Sequence, residues 1–459
     1  MAGIKGDHAF LDCRAGDGAV RADNAEIAVM QFNRVTIIGA KRSGLAAAEL
    51  LRSRGAKVLL MDAEPASLDV LPQSEDSLLL SAPDLVVLSP GVPYDLPMIV
   101  SVRGRGVPVI GEVELAGHFL KGPVIGITGS NGKTTTTALT GHVLRECGIP
   151  CQVGGNIGTA VTSLVDSSRH DQWNVIELSS FQLETISEFR ARIGACLNVT
   201  PDHLDRHHTF DNYAAAKARL FETQAADDLA VLNHDDAICR GYAEKTAGQV
   251  VWFSLQEQVS NGVSLRGEDL CWEEEPFMSC SQIPLRGMHN VENVACTAAI
   301  ARLAGAPLSA IGAAVASFPG VEHRIEFVRR LNGVDYFNDS KATNVDATLK
   351  AIEAFPGNLW IILGGKDKGS DYTPLCEPLA ARAKAALLIG AAAPLIKTAL
   401  HSALPLVDCG NMAEAVVYAH EHARPGDTVL LAPACASFDQ FSNYEERGRV
   451  YKQLVQGLF

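Results

Sequence analysis

A glycine-rich loop between an apolar strand and a helix constrains the fold of this chain most. Residues 123–127 (PVIGI) have the character of a buried strand, and residues 128–134 (TGSNGKT) follow as a loop that opens a helix. Such a loop turns backbone N–H groups toward phosphate oxygens, and the helix N-terminus adds partial positive charge. Lys133 would reach the β- and γ-phosphates, and the Thr134 hydroxyl would bind Mg²⁺. The segment predicts a nucleotide-binding α/β domain.

The loop is a variant of the strict phosphate-binding pattern, which has glycine at the position of Ile127. An ordinary glycine turn before a helix is the alternative interpretation. The adjoining letters GKT and the strand–loop–helix order favour the phosphate loop.

Three polar residues follow the ends of apolar strands downstream of the loop. Glu177 lies in the strand at 174–178, and Asp202 and His203 follow the strand at 195–199. The carboxyl ends of parallel strands are where α/β sheets bind ligands. Each residue alone has an ordinary structural interpretation. Together, beside a phosphate loop, they indicate metal-dependent phosphoryl transfer.

The same strand–turn–helix order occurs in three successive stretches of the chain, which predicts three α/β units. We expect a Rossmann-like N-terminal domain, a central ATPase-like domain with a parallel sheet and the phosphate loop, and a Rossmann-like C-terminal domain. The predicted bounds are 34–114, 115–320 and 321–459, after a flexible extension at 1–33. The expected strands are 35–39, 58–62, 84–89, 123–128, 174–178, 195–199, 334–337, 359–363, 386–389 and 428–431.

Composition narrows the functional class. With 47% hydrophobic and 20% charged residues, the chain has the composition of an ordinary globular protein. Its net charge of −14 argues against a nucleic-acid-binding surface. The 11 cysteines lie scattered without CxxC or metal-ligand spacing, which indicates reduced thiols. Because the N-terminus is charged and no apolar run nears the ~20 residues of a membrane helix, we expect a cytoplasmic protein without stable membrane association. We also expect a monomer.

The motifs resemble the Mur ligase superfamily, in which the phosphate loop reads TGxNGK[ST]. The resemblance covers the chain from about residue 34 to its end. Three blocks resemble the D-glutamate-adding branch of the family: NDSKATN (338–344), LGGKDKG (363–369) and PACASFDQFSNYEERG (433–448). The other matching blocks are GGNIG (154–158), ELSSFQLE (177–184), NVTPDHLDRH (198–207), YAAAK (213–217), GMHNVEN (287–293) and HRIE (323–326).

The resemblance implies an ATP-dependent ligase that adds D-glutamate to UDP-N-acetylmuramoyl-L-alanine in peptidoglycan precursor synthesis. ATP would convert the alanine carboxylate into an acyl phosphate, which the amine of D-glutamate then attacks. Catalysis of this kind is largely positioning and charge neutralisation. The resemblance also implies two Mg²⁺ ions, and a carbamylated Lys217 that acts as a carboxylate-like ligand. A helix-surface lysine paired with an acid is the alternative interpretation of Lys217.

The family pattern assigns roles to residues of this chain. The catalytic residues would be Lys133, His203, Lys217 and Lys341. The metal ligands would be Thr134, Glu177, His203 and Lys217. ATP would contact Gly129, Ser130, Asn131, Gly132, Lys133, Thr134, Thr135, Asn293, Arg324 and Asp339. A helix cap for Asn293 and a surface position for Arg324 remain alternatives.

The substrate pockets follow from the same pattern. The uridine diphosphate part would contact Ser43, Asp62, Gly91 and Asn156. D-Glutamate would contact Thr343, Lys368 and Ser437, with Phe438 and Tyr444 as walls. Two departures concern the uridine site: Lys41 stands where a second glycine is common, and Glu64 where some members have arginine. Lys41 or Arg42 would compensate by meeting the diphosphate.

Four other functions compete. A sister Mur ligase with a different amino acid, or a folylpolyglutamate synthase, is disfavoured by the NDSKATN and PACAS blocks. A non-catalytic nucleotide-binding relative would have lost some of Lys133, Glu177, His203 and Lys217, and all four are present. An NAD-dependent oxidoreductase is disfavoured because Lys41 breaks the dinucleotide fingerprint and a second phosphate loop lies downstream.

Overall fold

The computed structural model describes residues 32–459, apart from residues 66, 68 and 368 and the side chain of Asp205. The predicted extension at 1–33 therefore lies almost wholly outside the described residues. The chain forms two compact units. The first ends at Phe318, and the second continues from Pro319 to Phe459 and also includes Leu285–Gly287. The first unit contains two sheets and the second contains one. The predicted domain bounds remain predictions.

The first sheet has five parallel strands. They are β1 (Arg34–Ile38), β2 (Lys57–Asp62), β3 (Val70–Pro72), β4 (Leu85–Leu88) and β5 (Val109–Gly111), in the order β3-β2-β1-β4-β5. The accompanying helices are α1 (Arg42–Ser53), α2 (Glu75–Leu80), α3 (Pro97–Gly104) and α4 (Glu112–Gly117). The central strands β1 and β4 are mostly apolar and buried because both faces of the sheet are covered there, as Ile37 and its partner Val87 illustrate.

The second sheet has nine strands and carries the phosphate loop. Its strands are β6 (Val124–Thr128), β7 (Cys151–Gly155), β8 (Trp173–Glu177), β9 (Ile193–Cys196), β10 (Leu229–Asn233), β11 (Gln249–Ser254), β12 (Gly262–Arg266), β13 (Asp269–Trp272) and β14 (Glu275–Ser279). Their order is β14-β13-β12-β11-β10-β9-β6-β8-β7. Its helices are α5 (Lys133–Glu146), α6 (Ser180–Leu183), α7 (Leu204–His207), α8 (Phe210–Glu222), α9 (Ala237–Gly241), α10 (Met288–Leu303) and α11 (Leu308–Ala316). Short 3₁₀ helices occur at Val161–Ser167, Tyr242–Glu244 and Cys280–Gln282.

This central sheet is mixed rather than purely parallel as predicted. Strands β6 to β12 are all parallel to one another, whereas β13 is antiparallel to both of its neighbours, β12 and β14. The connection from β12 to β13 has only two residues, Gly267 and Glu268, and Gly267 takes a positive φ of 63°. Parallel strands need a crossover of a dozen or more residues, so a two-residue turn dictates an antiparallel edge.

The sheet of the second unit has six strands in the order β15-β16-β20-β17-β18-β19. They are β15 (Glu326–Leu331), β16 (Val334–Asn338), β17 (Leu359–Gly364), β18 (Ala383–Ile389), β19 (Leu406–Gly410) and β20 (Thr428–Leu431). Its helices are α12 (Val345–Glu353), α13 (Cys376–Arg382), α14 (Ala393–Leu400), α15 (Met412–His422) and α16 (Tyr444–Gln456), with a 3₁₀ turn at Thr373–Leu375. Only the edge strand β15 is antiparallel.

All ten predicted strands are present, and the α/β class with three sheets is confirmed. Among the described residues, no helix combines the length and apolarity that a membrane crossing needs.

Candidate functional site

The phosphate loop connects β6 to α5, and two of its glycines are required by geometry. Gly129 and Gly132 have φ values of 148° and 83°, which side-chain-bearing residues rarely adopt. A Cβ on Gly132 would also lie 2.2 Å from Oδ1 of Asn293. The loop can therefore keep this shape only with glycine at both positions.

Two lysine side chains converge on one carbonyl of this loop. Lys133 Nζ donates to the carbonyl oxygens of Gly129 and Ser130 at 2.8 Å each. Lys217 Nζ, from α8, donates to the same Gly129 oxygen at 2.8 Å. Burial, and then the nearby positive charge of Lys133, lower the pKa of Lys217 to about 7. Lys217 is buried, so its interpretation as a surface lysine is wrong.

Glu177 lies beside the loop because β8 pairs with β6, with Glu177 opposite Ile127. Its Oε1 accepts a hydrogen bond of 2.9 Å from Nδ2 of Asn156. Its Oε2 is buried without a hydrogen-bond partner. A buried carboxylate oxygen of this kind needs a cation or a donor, and the donor set of Glu177 and the Thr134 hydroxyl suits a hard cation such as Mg²⁺. Within the described ranges, no group of three or more His, Cys, Asp or Glu could hold a metal by itself.

His203 lies on a short turn after β9. The residue has a positive φ of 51°, and its side chain is half exposed. Its Nε2 is 3.6 Å from Oδ2 of Asp202, and its ring centroid is 4.8 Å from that of Phe181. The imidazole is thus accessible near the loop side of the sheet.

The predicted ATP ligands of the first unit all belong to this loop and its neighbours. Asn131 N donates to Oδ1 of Asn198 at 2.8 Å. Asn293 is buried in α10, where its Oδ1 accepts from the Thr136 hydroxyl at 3.2 Å. Because α10 begins at Met288, the interpretation of Asn293 as a helix cap is wrong. Thr135 is buried in the first turn of α5.

Tyr213 was given no role by the sequence, although it belongs to the YAAAK block. Its hydroxyl is 2.9 Å from Oγ of Ser130, and its ring lies 4.5 Å from Nζ of Lys217. Burial raises its pKa to about 12. The spacing of four residues to Lys217 on one helix was the available signal, since such residues share a helix face.

The predicted uridine residues lie in two places. Asp62 closes the N-terminal glycine turn, because its Oδ2 accepts from Ala40 N at 2.6 Å. The backbone N–H of Glu64 also donates to Asp62 and lowers the pKa of its carboxyl group. Ser43 lies in the first turn of α1, and Gly91 is exposed after β4. Asn156 instead contacts Glu177.

In the second unit, the predicted ATP residues surround Asp339. Asp339 follows β16, and burial raises its pKa to about 6, against the positive charges of Arg324 and Lys341. Lys341 N donates to the carbonyl oxygen of His323 at 3.1 Å. Arg324 is half-buried rather than on the open surface.

The residues predicted to bind D-glutamate differ in how exposed they are. Ser437 is buried, whereas Phe438 is 66% exposed. Thr343 is half-buried and donates its N–H to the carbonyl oxygen of Lys341 at 2.8 Å. The ring of Tyr444 meets that of His323 edge-on at 6.1 Å. Lys368 lies outside the described residues.

Arg447 is a buried residue that the sequence did not indicate. Its guanidinium donates to the carbonyl oxygens of Cys435, Ala436 and Ser340, and to the Ser340 hydroxyl, at 2.9–3.3 Å. Burial lowers its pKa to about 10. It joins the segment before Ser437 to the segment after Asp339.

Comparison with known proteins decides the family. Residues 33–111 match the description "Mur ligase MurD-like, N-terminal domain", residues 127–301 the "Mur ligase middle domain" and residues 323–435 the "Mur ligase, glutamate ligase domain". The UDP-N-acetylmuramoylalanine--D-glutamate ligase of Solibacter usitatus (strain Ellin6076) is 59% identical over 438 residues, which cover 94% of this chain and 99% of that protein. This chain belongs to the Mur ligase family.

A further relative and two solved structures agree with that membership. The ligase of the same name from Acidobacterium capsulatum is 50% identical over 93% of this chain and 96% of its own length. The UDP-N-acetylmuramate-alanine ligase of Thermotoga maritima has a TM-score of 0.60 at 19% identity, covering 92% of this chain and 99% of its own. A UDP-N-acetylmuramoyl-L-alanyl-D-glutamate--2,6-diaminopimelate ligase has a TM-score of 0.56 at 19% identity, covering 92% of both chains. These structures support the Mur ligase fold.

Proposed function

We propose that this chain is an ATP-dependent ligase that joins D-glutamate to UDP-N-acetylmuramoyl-L-alanine in the synthesis of peptidoglycan precursor. The observation that carries the proposal is the 59% identity, over 94% of the chain, to a ligase of that name. The phosphate loop with Lys133, and the buried Glu177 beside it, support the ATP-dependent part of the reaction.

The chemistry begins at the γ-phosphate of ATP. An oxygen of the alanine carboxylate attacks the γ-phosphorus, the bond to the bridging β–γ oxygen breaks, and ADP leaves. The amine of D-glutamate then attacks the acyl carbon, phosphate leaves, and the amine loses a proton. The loop N–H groups and Lys133 hold the phosphates and offset their charge, so the enzyme contributes mainly position and electrostatics.

Glu177, with the Thr134 hydroxyl, would hold one Mg²⁺, and His203 with Lys217 would hold a second. Bound Mg²⁺ would neutralise phosphate charge and polarise the phosphoryl oxygens. Glu177 fits this role because its buried Oε2 lacks a hydrogen-bond partner within the protein.

Lys217 would serve as a carbamate. At a pKa of about 7, a large fraction of its amine is neutral at physiological pH. The Nζ lone pair attacks the carbon of CO₂, an N–C bond forms, one C=O π bond breaks, and Nζ loses a proton. The product replaces a buried ammonium by two carboxylate-like oxygens, which a hard cation prefers. Burial disfavours the ammonium and so supplies the neutral amine, and the positive charge of Lys133 nearby opposes the ammonium and favours the anionic carbamate.

The remaining residue roles are proposals of the same kind. Ser43, Asp62, Gly91 and Asn156 would contact the uridine diphosphate part of the substrate. Arg324, Asp339 and Lys341, together with Asn293, would complete the ATP contacts, and Asp339 suits ribose hydroxyls or metal-bound water. Thr343, Lys368 and Ser437 would bind D-glutamate between Phe438 and Tyr444. We propose that the enzyme acts as a cytoplasmic monomer.

Phosphate release from ATP tests the proposal directly. The purified chain is given UDP-N-acetylmuramoyl-L-alanine, Mg²⁺ and one amino acid at a time. We expect turnover with D-glutamate, and little with L-glutamate, L-alanine or diaminopimelate. Turnover with a diamino acid instead of D-glutamate would assign the chain to a sister Mur ligase, and dependence on a folate would assign it to the synthase branch.

A further inference from the structure

A chain of polar side chains lies beneath the turn that carries His203. Ser180 Oγ is 2.9 Å from Nε2 of His207, and Nδ1 of His207 is 3.1 Å from Oε1 of Glu184. The other oxygen of Glu184 accepts from Nη2 of Arg206 at 2.8 Å. These four residues, Ser180, Glu184, Arg206 and His207, are called the His207 network here.

The hydrogen bonds of the network have a fixed direction. Burial lowers the pKa of His207, so its imidazole is neutral at pH 7. Nε2 accepts from the Ser180 hydroxyl, so Nδ1 carries the proton and faces the Glu184 carboxylate at 3.1 Å. Both nitrogens of the buried ring therefore have a polar group beside them.

The order serine–histidine–carboxylate is also that of a hydrolytic triad. Ser180 and His207 are only 2% and 4% exposed. A hydroxyl this deeply buried cannot meet a substrate carbonyl, so the arrangement does not serve nucleophilic attack. A buried polar network of this type holds the backbone segments that it joins.

The segment that it holds is a strained turn. His203 and His208 have positive φ values of 51° and 66°, and between them lies the single-turn helix α7. The N–H groups of Arg206 and His207 donate to the carbonyl oxygen of His203 at 3.1 and 3.0 Å. Non-glycine residues in this region cost of order 1–3 kcal/mol each and persist only where the surroundings enforce them.

His207 supplies that enforcement. Among the described side chains of the turn, that of His207 is the buried one. Its ring stacks on Phe181 with centroids 5.5 Å apart and meets Tyr213 edge-on at 5.3 Å. Phe181 in turn contacts the ring of His203 at 4.8 Å. The exposed imidazole of His203 thus rests on a layer whose position His207 sets.

Arg206 extends the network to a second predicted site. Its Nη2 donates to the carbonyl oxygen of Val92 at 3.1 Å, directly after Gly91. Its guanidinium also lies over the ring of Phe181 at 5.1 Å. The segment predicted to bind uridine diphosphate and the turn that carries His203 are therefore tied to one set of side chains.

We propose that His207 is a positioning residue which, with Ser180, Glu184 and Arg206, fixes the turn that presents His203 to the reacting groups. The role of His203 itself rests on the proposed ligase function. The shape of the turn does not, so the two can be tested separately.

The first test measures the turn in the free protein. In His207→Phe, the ring packing on Phe181 is kept and both ring nitrogens are lost. We expect hydrogen–deuterium exchange of the amides at residues 206–208 to accelerate by tenfold or more, on the order of one lost network hydrogen bond. His208→Asn is the matched control, because the side chain of His208 is exposed and asparagine tolerates a positive φ; its exchange should equal that of the parent. Unchanged exchange in His207→Phe would overturn the proposal.

The second test is a double-mutant cycle with His203→Ala. A positioning role predicts that His207→Phe lowers kcat on the order of 10- to 100-fold in the parent. In the His203→Ala background it should change kcat by no more than about twofold, since its effect passes through His203. Equal losses in both backgrounds would mean a general structural role and would overturn the proposal. If His207→Phe does not fold, Glu184→Gln takes its place in the cycle.

A failure of the proposed ligase function can be distinguished from a failure of the proposed role of His207. A parent protein without D-glutamate-dependent phosphate release would refute the proposed function, while the exchange experiment would still decide whether His207 holds the turn.

Discussion

The two glycine-rich turns of the first unit have the same strand–turn–helix order but differ in the side chains that hydrogen-bond to them. Each follows a central parallel strand and opens a helix, at Gly39–Gly44 in the first sheet and at Gly129–Gly132 in the second. In the first turn, a carboxylate of Asp62 takes the N–H of Ala40, and Ser89 Oγ donates to the carbonyl oxygen of Gly39 at 2.6 Å. In the second, two lysines donate to the carbonyl oxygen of Gly129.

The difference shows that the glycines alone do not define a phosphate site. The Asp62 carboxylate accepts the hydrogen bond of a turn N–H that could otherwise face a phosphate, and it adds negative charge. The first turn is therefore unfavourable for a triphosphate. Lys133, anchored at the second turn, would provide positive charge for a triphosphate, and the N-terminus of the 14-residue helix α5 would add to it.

The largest effect is expected at Lys133. In Lys133→Met the loop keeps its glycines and loses the cation that would face the β- and γ-phosphates. We expect kcat to fall on the order of 10³-fold, as for loss of a preorganised transition-state donor. Steady-state phosphate release measures it, with the exposed Lys245→Met as a control that should match the parent. A loss smaller than about tenfold would mean that the loop amides suffice.

A loss nearly as large is expected at Lys217, and it should be reversible. In Lys217→Ala the side chain that would carry the carbamate is gone, and formate or acetate can enter the space. We expect most activity to be lost and part of it to return with these anions, whereas Lys217→Met fills the space and should not be rescued.

The pH dependence of the parent follows from the same lysine. Its pKa of about 7 means that the neutral amine, which reacts with CO₂, increases as pH rises through 7 and is lost as pH falls below it. We therefore expect CO₂ removal to inactivate the parent most readily below pH 7, with bicarbonate restoring activity. A fully active Lys217→Ala enzyme would contradict the carbamate.

A smaller effect, on stability, is expected at Gly44. A Cβ there would lie 1.8 Å from the carbonyl oxygen of Gly39 and 2.7 Å from Oγ of Ser89. Gly44→Ala should therefore destabilise the protein by about 1–3 kcal/mol, as overpacking does. Gly104→Ala, in α3 with no atom within 4 Å of its Cβ, is the control. Urea denaturation compares the two, and equal midpoints would show that the first turn has room to relax.

For both glycine-rich turns, the sequence predicted the flanking strands better than the side-chain contacts. Runs of apolar residues located the strands that lead into the two loops and the strands paired with them, because buried parallel strands are apolar on both faces. The parallel strands β3, β5, β7, β10 and β11 were not predicted. The sequence also predicted a strand-end position beside the loop for Glu177, which the structure places opposite Ile127. The antiparallel edge at β12–β14 was not predicted, although Gly267 marks a short turn between β12 and β13 that indicates a hairpin.

Buried partners that come from distant segments could not be predicted in the same way. Arg447 contacts Ser340, which is 107 residues away, and His207 contacts Ser180, 27 residues away. No local period links such pairs, since their contact exists only once the sheets have formed. Nor does a lysine reveal its burial: the sequence left a surface role open for Lys217, which is 1% exposed.

The smallest effect is expected at Lys41, the cation of the first turn. Lys41 is exposed at the N-terminus of α1, and its charge acts on Asp62, whose pKa it helps to lower. If it also meets the diphosphate of the substrate, the gain is that of a solvent-exposed pair, about 0–1 kcal/mol. Lys41→Ala should therefore raise the KM for UDP-N-acetylmuramoyl-L-alanine by about fivefold at most, with kcat unchanged. Because exposed charges are screened by salt, the increase should vanish at about 0.5 M NaCl, and Lys41→Arg should show none at low salt. A fall in kcat comparable to that of Lys133→Met would mean that both glycine turns act on the transferred phosphoryl group, and the distinction between them would not stand.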